Sequence, residues 1–424
     1  MDSSSTQESS LSIIPSNNTT ATNAIDQTPS LPSIHNTYIS AKTSWMKWYA
    51  AFKNILPTYI LIHLAFFVIT CLAVLFTLKD FSPQSMSIST LWQSWLHWDT
   101  INFRAIAANG YTMSRLTAFF PLYPLLERSL TFLTHDYLIA GLIISNLSGL
   151  GMLVILYRLV QEDFDHERAA RTVLYLSVFP TAFFFAAAYS ESLFLFLALL
   201  NFYHMRHGHW WLAGLCGFLA ALTHASGLLL LLPFCYEYLS QHDFKLKTIR
   251  FNILSGLCIF AGIAVFAFYC YFRFHDPLAF SHAESFWNRK LSLPGYAVLR
   301  TIHAIIINPG FLNFQALRNI LDLAPDAFIF VLVILGFVGP WKFPRNLWVY
   351  AIFATTFFLF PQLFPFAGLY PLESIPRYML AVFPAFIVLA GAGENRTLNM
   401  GYLMISGYLL FFLLTQFLTG HWIT

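Results

Sequence analysis

An all-α, multi-pass membrane protein is the fold class the sequence predicts, on three observations. The composition is 57% hydrophobic and only 10% charged, with a mean hydropathy of +0.62, far more apolar than a soluble domain. Apolar runs recur at lengths suited to crossing a bilayer, for which a helix needs about 20 residues to span ~30 Å of hydrocarbon. Lysines and arginines gather in short turns between alternate runs, the pattern of cytoplasmic loops. A formal charge of +3 is too small to argue for nucleic acid as a partner. The five cysteines, Cys71, Cys216, Cys235, Cys258 and Cys270, sit in apolar runs without a C-x-x-C pair and read as small buried hydrophobes.

Taken in order, residues 1–41 are rich in Ser, Thr, Asn and Pro. They cannot bury enough surface to fold, and are expected to be a disordered cytoplasmic tail without a signal-peptide pattern. Residues 42–55 carry Lys42, Lys47 and Lys53 and are expected to lie on the membrane surface as a basic interfacial segment. Residues 56–420 read as one transmembrane domain. Its first crossing is 56–78, with the preceding lysines placing its start in the cytoplasm. A first outer loop, 79–135, follows. Within it, 119–133 is apolar but short and broken by Pro121 and Pro124, which predicts a half-inserted juxtamembrane element.

Residues 138–160 form a full span ending at a cytoplasmic turn with Arg158, Arg168 and Arg171. Runs 172–187, 193–205, 211–222, 228–239 and 253–272 come next, and the turn bearing Lys245, Lys247 and Arg250 is placed inside. Residues 274–325 are expected to be a second long outer loop. Runs 326–341, 347–364, 378–392 and 402–418 bring the total to about eleven crossings. No repeat relates the two halves, which weakens the rival reading of a transporter built on inverted repeats. A second rival is a non-catalytic membrane scaffold.

The stretch that organises the rest is 91–126, LWQSWLHWDTINFRAIAANGYTMSRLTAFFPLYPLL. Asp99 stands there among Trp92, Trp95 and Trp98, and Trp prefers the headgroup zone, so the carboxylate is placed at the water face of the bilayer. Asp99 suits a helix N-terminus, and Asn109-Gly110 offers a left-handed stop. The helix dipole favours the ionised form there, which a proton acceptor needs. The alternative reading is that Asp99 only caps the helix. By the same topology the outer face collects Arg104, Arg115, Tyr189, Glu191, His224, His275, Asp276, His282, Glu284, Arg289, Lys290, Glu373 and Arg377. Ionisable groups beside a membrane face are candidates for a site by default.

Trp98-Asp99, Asn102-Phe103, Ile106-Ala107, Gly110-Tyr111 and Ala118-Phe119-Phe120-Pro121 through Pro124-Leu125 resemble the W-D-x-x-x-F-x-x-I-A-x-x-G-Y…F-F-P-x-x-P-L signature of the PIG-V family. Its members are the GPI mannosyltransferase 2 enzymes and their bacterial relatives, within the GT-C group of multi-pass glycosyltransferases. Phe179-Pro180, Phe183-Phe184 and Tyr189-Ser190-Glu191-Ser192 resemble the family's second signature. There Glu191 is either a capping group or a ligand for a sugar hydroxyl. Thr223-His224-Ala225-Ser226-Gly227 stands where the family has T-R-x-x-G, so a neutral-capable histidine replaces a permanent cation. Ile375-Pro376-Arg377-Tyr378 resembles the family's late motif, with Arg377 a candidate for the donor phosphate or a partner of Glu373 four residues earlier.

The resemblance implies a GT-C-like bundle and an inverting transfer of a hexose, mannose, from a polyprenyl-phosphate sugar to an extracytoplasmic or lumenal acceptor. The physical reading of the residues supplies a compatible mechanism with Asp99 as the base. Arg377 and His224 fall to the donor phosphate, and Trp98, Asn102, Tyr189, Glu191 and Glu373 to the substrates. No cofactor is expected, the donor being a co-substrate, no metal ligands are assigned, and metal dependence is left open. The expected partners are the bilayer, the lipid-linked sugar and an acceptor glycan, glycolipid or protein. Short outer loops favour a bacterial plasma membrane over the endoplasmic reticulum. His204, His207 and His209 lie in an inner turn away from this site, without the pairing of a zinc centre. The glycosylation-type triplets at Asn17, Asn18 and Asn395 fall on the cytoplasmic side.

Overall fold

The computed structural model describes residues 34–77, 87–307 and 313–421, with side chains from Trp45 onward. It is helical nearly throughout, with no β-strand among the described residues beyond an isolated bridge between Arg289 and Phe366. Residues 1–47 form one unit and 48–424 another. In the first, the described backbone is helical from Ile34 onward. The basic stretch 42–55 therefore belongs to one long helix, α1 (Ile34–Thr77, 44 residues), rather than to a separate surface element. The expected tail before Ile34 lies outside the described residues.

Short α2 (Ile88–Gln93) and α3 (Asp99–Asn109) open the region after the first crossing. α3 stops where expected: Gly110 takes φ 72°, a conformation that strains any residue with a Cβ. A 3₁₀ turn, Ser114–Ala118, leads to α4 (Leu122–Thr134). At about 1.5 Å per residue the 13 residues of α4 cannot cross a bilayer, in keeping with the half-inserted element. α5 (Tyr137–Asp163) is a full-length helix, capped by Asp136, whose side chain accepts from the N–H of Leu138 and Ile139.

The run 172–187 departs from expectation. α6 (His166–Ser177) ends early, because Pro180 removes a donor and disfavours helix before it. Residues 178–190 instead form irregular chain with a 3₁₀ turn, Ala182–Phe185, and Phe183, Phe184 and Tyr189 are wholly buried. Non-helical backbone is tolerated at such depth when protein surrounds it. α7 (Glu191–Arg206), α8 (Trp210–Thr223), α9 (Leu231–Gln241) and α10 (Gly256–Phe274) follow. α7 packs between α5 and α8, and α8 against α10. Gly262 makes that last approach possible, since a Cβ there would lie 2.6 Å from the Phe218 carbonyl oxygen.

The stretch expected as a second outer loop, 274–325, is more helical than that expectation. It holds α11 (Ala279–Phe286) and α12 (Tyr296–Ile307), and α13 (Phe314–Leu335) begins well before position 326, with Asn313 capping it. α13 buries a polar stripe, Asn319, Asp322 and Asp326, that reads as loop composition in the sequence. α14 (Trp348–Gln362), α15 (Ile375–Tyr378), α16 (Phe383–Ala392) and α17 (Arg396–Leu418) complete the chain. Every residue of α16 is buried, so it serves as the pillar of the second half.

Among the described residues, four helices are long and apolar enough to cross a membrane, Trp45–Thr77, Tyr137–Asp163, Phe251–Phe274 and Arg396–Leu418. The pair Ile375–Ala381 and Phe383–Ala392, bent by 78°, makes a fifth if read as one broken span. Most of the other runs counted toward about eleven crossings fold as shorter helices separated by 3₁₀ turns or short breaks, while 326–341 starts inside the 22-residue α13. At the C-terminal end of α7, Arg206 donates to Asp163 (2.7 Å) and Glu237 (3.0 Å), while the Tyr350 hydroxyl donates to Asp163 (2.6 Å). That knot joins α5, α7, α9 and α14.

Candidate functional site

At the opposite end of α7 the signature residues meet. Trp98 precedes α3 with φ 52° and ψ −117°, an unusual conformation for a bulky residue and the kind of strain that collects at functional sites. The turn is held from below: the Asp99 N–H donates to the Tyr189 hydroxyl (3.3 Å), and the Thr100 hydroxyl donates to the Ala188 carbonyl (3.3 Å). Asp99 begins the helix without capping it by its side chain. Its carboxylate turns instead to Arg377, whose Nη1 lies 2.6 Å from Oδ2.

Arg377 is presented by α15 just after Ser374, which takes φ 68°. The Thr181 hydroxyl donates to the Pro376 carbonyl (3.0 Å), tying α15 to the irregular 178–190 segment. The sequence offers Glu373 as the partner of Arg377; the structure corrects this. The ion-pair partners are Asp99 and Glu191, the latter at 3.0 Å from Nε. Glu373 gives its backbone carbonyl to Arg289 (3.1 Å). The Arg377, Glu191 and Asp99 side chains are only 7%, 13% and 19% exposed. The rings of Phe184, Tyr189 and Tyr378 surround the guanidinium at 5.2–5.4 Å, adding cation–π attraction. A buried charge so enclosed is held by its partners, and removing either side of such a pair costs about 3–5 kcal/mol.

This cluster forms the polar end of a cavity of about 830 Å³. Trp98, Asp99, Asn102, Glu191, His224, Glu373 and Arg377 all line it. Tyr189, also expected to touch substrate, lies fully buried beneath the floor and serves as the seat of Asp99. Phe119, Phe120, Phe194, Phe357, Phe360 and Phe364 line the remaining wall. His224 caps the 3₁₀ turn Ala225–Leu230: its Nδ1 accepts from the Ser226 N–H (3.3 Å). That assignment puts the hydrogen of a neutral ring on Nε2. The ring lies between those of Phe194 and Tyr378.

Two residues of the 274–325 stretch complete the wall without having been assigned a role from sequence. Arg289 and Glu284 both line the cavity, because residues 288–292 pair with 363–367 through backbone hydrogen bonds. Burial pushes the Glu284 carboxyl above its usual range, while Arg289 pulls it down and Asp99 adds to the rise. The mixed charge of the 274–290 stretch was the available signal, and it did not tell a folded wall from a solvated loop.

Comparison with known proteins agrees with the signatures. The mannosyltransferase (PIG-V) family model matches residues 49–390. The chain is 25% identical over 278 residues to GPI mannosyltransferase 2 of Schizosaccharomyces pombe, covering 62% of this chain and 57% of that one. It is 35% identical over 115 residues to GPI mannosyltransferase 2 of Drosophila pseudoobscura pseudoobscura, covering 24% and 25%. It is 28% identical over 203 residues to GPI alpha-1,6-mannosyltransferase 2 of Mus musculus, covering 42% and 41%. The matches thus span a quarter to just over half of these relatives' length. Among solved structures, the apo oligosaccharyltransferase of Archaeoglobus fulgidus superposes with a TM-score of 0.43 at 14% identity, over 85% of this chain and 56% of that one. With the family model running across residues 49–390, and Asp99, Glu191, His224 and Arg377 all inside the match, the chain belongs to the mannosyltransferase (PIG-V) family.

Proposed function

We propose that this protein is an inverting membrane mannosyltransferase that moves mannose from a polyprenyl-phosphate donor to a hydroxyl of an acceptor on the non-cytosolic face. The carrying observation is the Asp99–Arg377 pair, 2.6 Å apart, at the polar end of a cavity whose other wall is aromatic. A lipid-linked sugar has the same division, polar at the head and apolar along the tail. Asp99 takes the proton of the acceptor hydroxyl, and that oxygen attacks the anomeric carbon from the face opposite the phosphate. The carbon–oxygen bond to the polyprenyl phosphate breaks, and the configuration inverts in one displacement. Arg377 holds the Asp99 carboxylate in place and aims it. This departs from its expected part as phosphate holder, because Asp99 and Glu191 already engage its fork. Asn102 and Trp98 face the same space for the sugars, and the His224 ring N–H is available to a phosphate oxygen.

In this reading the N-terminus is cytoplasmic and the cavity opens outward, in a bacterial plasma membrane or, alternatively, toward the lumen of the endoplasmic reticulum. No cofactor enters the step; the donor is a co-substrate, and repeating the assay with a chelator answers the question of a divalent ion. The test is to incubate purified protein in lipid with labelled polyprenyl-phosphate mannose and a glycan acceptor. Release of polyprenyl phosphate together with a new mannosidic bond supports the proposal. Movement of intact donor across the bilayer would favour a transporter, and neither event would favour a scaffold.

A further inference from the structure

We propose that Arg289, rather than Arg377, is the cation that receives the phosphate of the donor. This rests on the reading that the donor is a polyprenyl-phosphate sugar. Arg377 has one guanidinium set against two carboxylates, Asp99 at 2.6 Å and Glu191 at 3.0 Å. An anion arriving there meets a local excess of negative charge. Arg289 lines the same cavity with a different set of partners. Its Nη1 donates to the Phe364 carbonyl (3.0 Å) and its Nη2 to the Glu373 carbonyl (3.1 Å). Carbonyl oxygens fix the fork without cancelling its charge, and each Nη keeps a second N–H. Its ion pair with Glu284 is long, 3.9 Å from Nε, and that side chain is 37% exposed.

The position is preorganised. The Arg289 side chain is 11% exposed, and the Tyr378 ring centroid lies 5.9 Å from its guanidinium carbon and 5.2 Å from that of Arg377. One aromatic ring thus separates the cation that holds the base from the cation left for the leaving group. A phosphodiester carries a single negative charge, which one guanidinium fork can match bidentately. A purely structural role accounts less well for Arg289. Its segment is already fixed by backbone bonds, Lys290 N–H to the Pro365 carbonyl (3.4 Å), Ser292 N–H to the Leu363 carbonyl (2.8 Å) and Ala367 N–H to the Asn288 carbonyl (2.7 Å).

The test uses the full chain in nanodiscs and two readouts: binding of polyprenyl phosphate alone, and mannose transfer with donor and acceptor varied separately. Arg289→Gln is expected to weaken polyprenyl phosphate binding and raise the donor KM by about tenfold or more, with the acceptor KM within about twofold. Arg289→Lys recovers part of the loss by restoring charge without the fork. Glu284→Gln, which removes the carboxylate paired with Arg289 at 3.9 Å, tightens polyprenyl phosphate binding by about threefold, a gain that damage to the fold does not produce. Unchanged polyprenyl phosphate binding in Arg289→Gln, or no tightening in Glu284→Gln, overturns the assignment. If the wild type binds polyprenyl phosphate but transfers no mannose, the enzymatic reading fails while the binding comparison still decides on Arg289.

Discussion

Arg377 and Asp99, 278 positions apart in sequence, meet at 2.6 Å, and Glu191 closes on the same guanidinium from a third segment at 3.0 Å. Three signatures scattered along the chain therefore converge on one charge. Arg377→Met is expected to strand two carboxylates in a poorly hydrated floor and to lower stability on the order of 3–5 kcal/mol, measured as a thermal shift in nanodiscs. Adding Glu191→Gln to that variant removes one stranded charge and recovers part of the loss. Strictly additive losses in the double variant would mean that the two residues do not act on each other.

Arg377→Lys keeps the positive charge but offers one compact ammonium in place of a planar fork. It cannot hold both carboxylates in the observed geometry. Turnover is expected to fall by about a hundredfold or more, since a misplaced base loses most of its effect, while the protein remains folded. Wild-type kcat in this variant would show that the bidentate arrangement is not needed.

The knot at the other end of α7 has a different expected phenotype. Asp163→Ala removes the acceptor of both Arg206 and Tyr350 and leaves a partly buried cation with Glu237 alone, with a loss of about 1–3 kcal/mol. Kinetic constants of the surviving folded protein should stay within about twofold, because the knot and the cavity lie at opposite ends of one helix. A thermal scan paired with transfer kinetics separates the two effects.

Gly262→Ala tests the packing of α8 on α10. The new Cβ would sit 2.6 Å from the Phe218 carbonyl oxygen and 2.8 Å from the Ala221 Cβ, so the helices must separate. A destabilisation of about 1–3 kcal/mol is expected, again as a thermal shift. No shift would mean that the helices pack more loosely than described.

Much of this was legible in the sequence, for physical reasons. The 138–160 run is long and mostly apolar, and it folds within α5. Asp99, Glu191, His224 and Arg377, drawn from four separate signatures, line one cavity. What escaped were features set by tertiary contact. Hydropathy cannot tell a buried irregular chain such as 178–190 from a crossing helix, because both are apolar. The polar residues Asn319 and Asp322 mimic a solvated loop, yet their helix buries them. The sequence also gave Arg377 a neighbour four residues away, when its partners arrive from 186 and 278 positions distant. For the same reason Arg289 was visible only as one charge among many.

The most direct measurement is mannose transfer by Asp99→Asn, alongside its thermal stability and its binding of polyprenyl phosphate. Asparagine preserves the shape of Asp99 and can still accept from Arg377, but it cannot take a proton. Transfer is expected to drop by about a thousandfold, in the range that general-base catalysis supplies, with folding intact and donor binding retained. Turnover close to wild type in a well-folded Asp99→Asn protein would contradict the account.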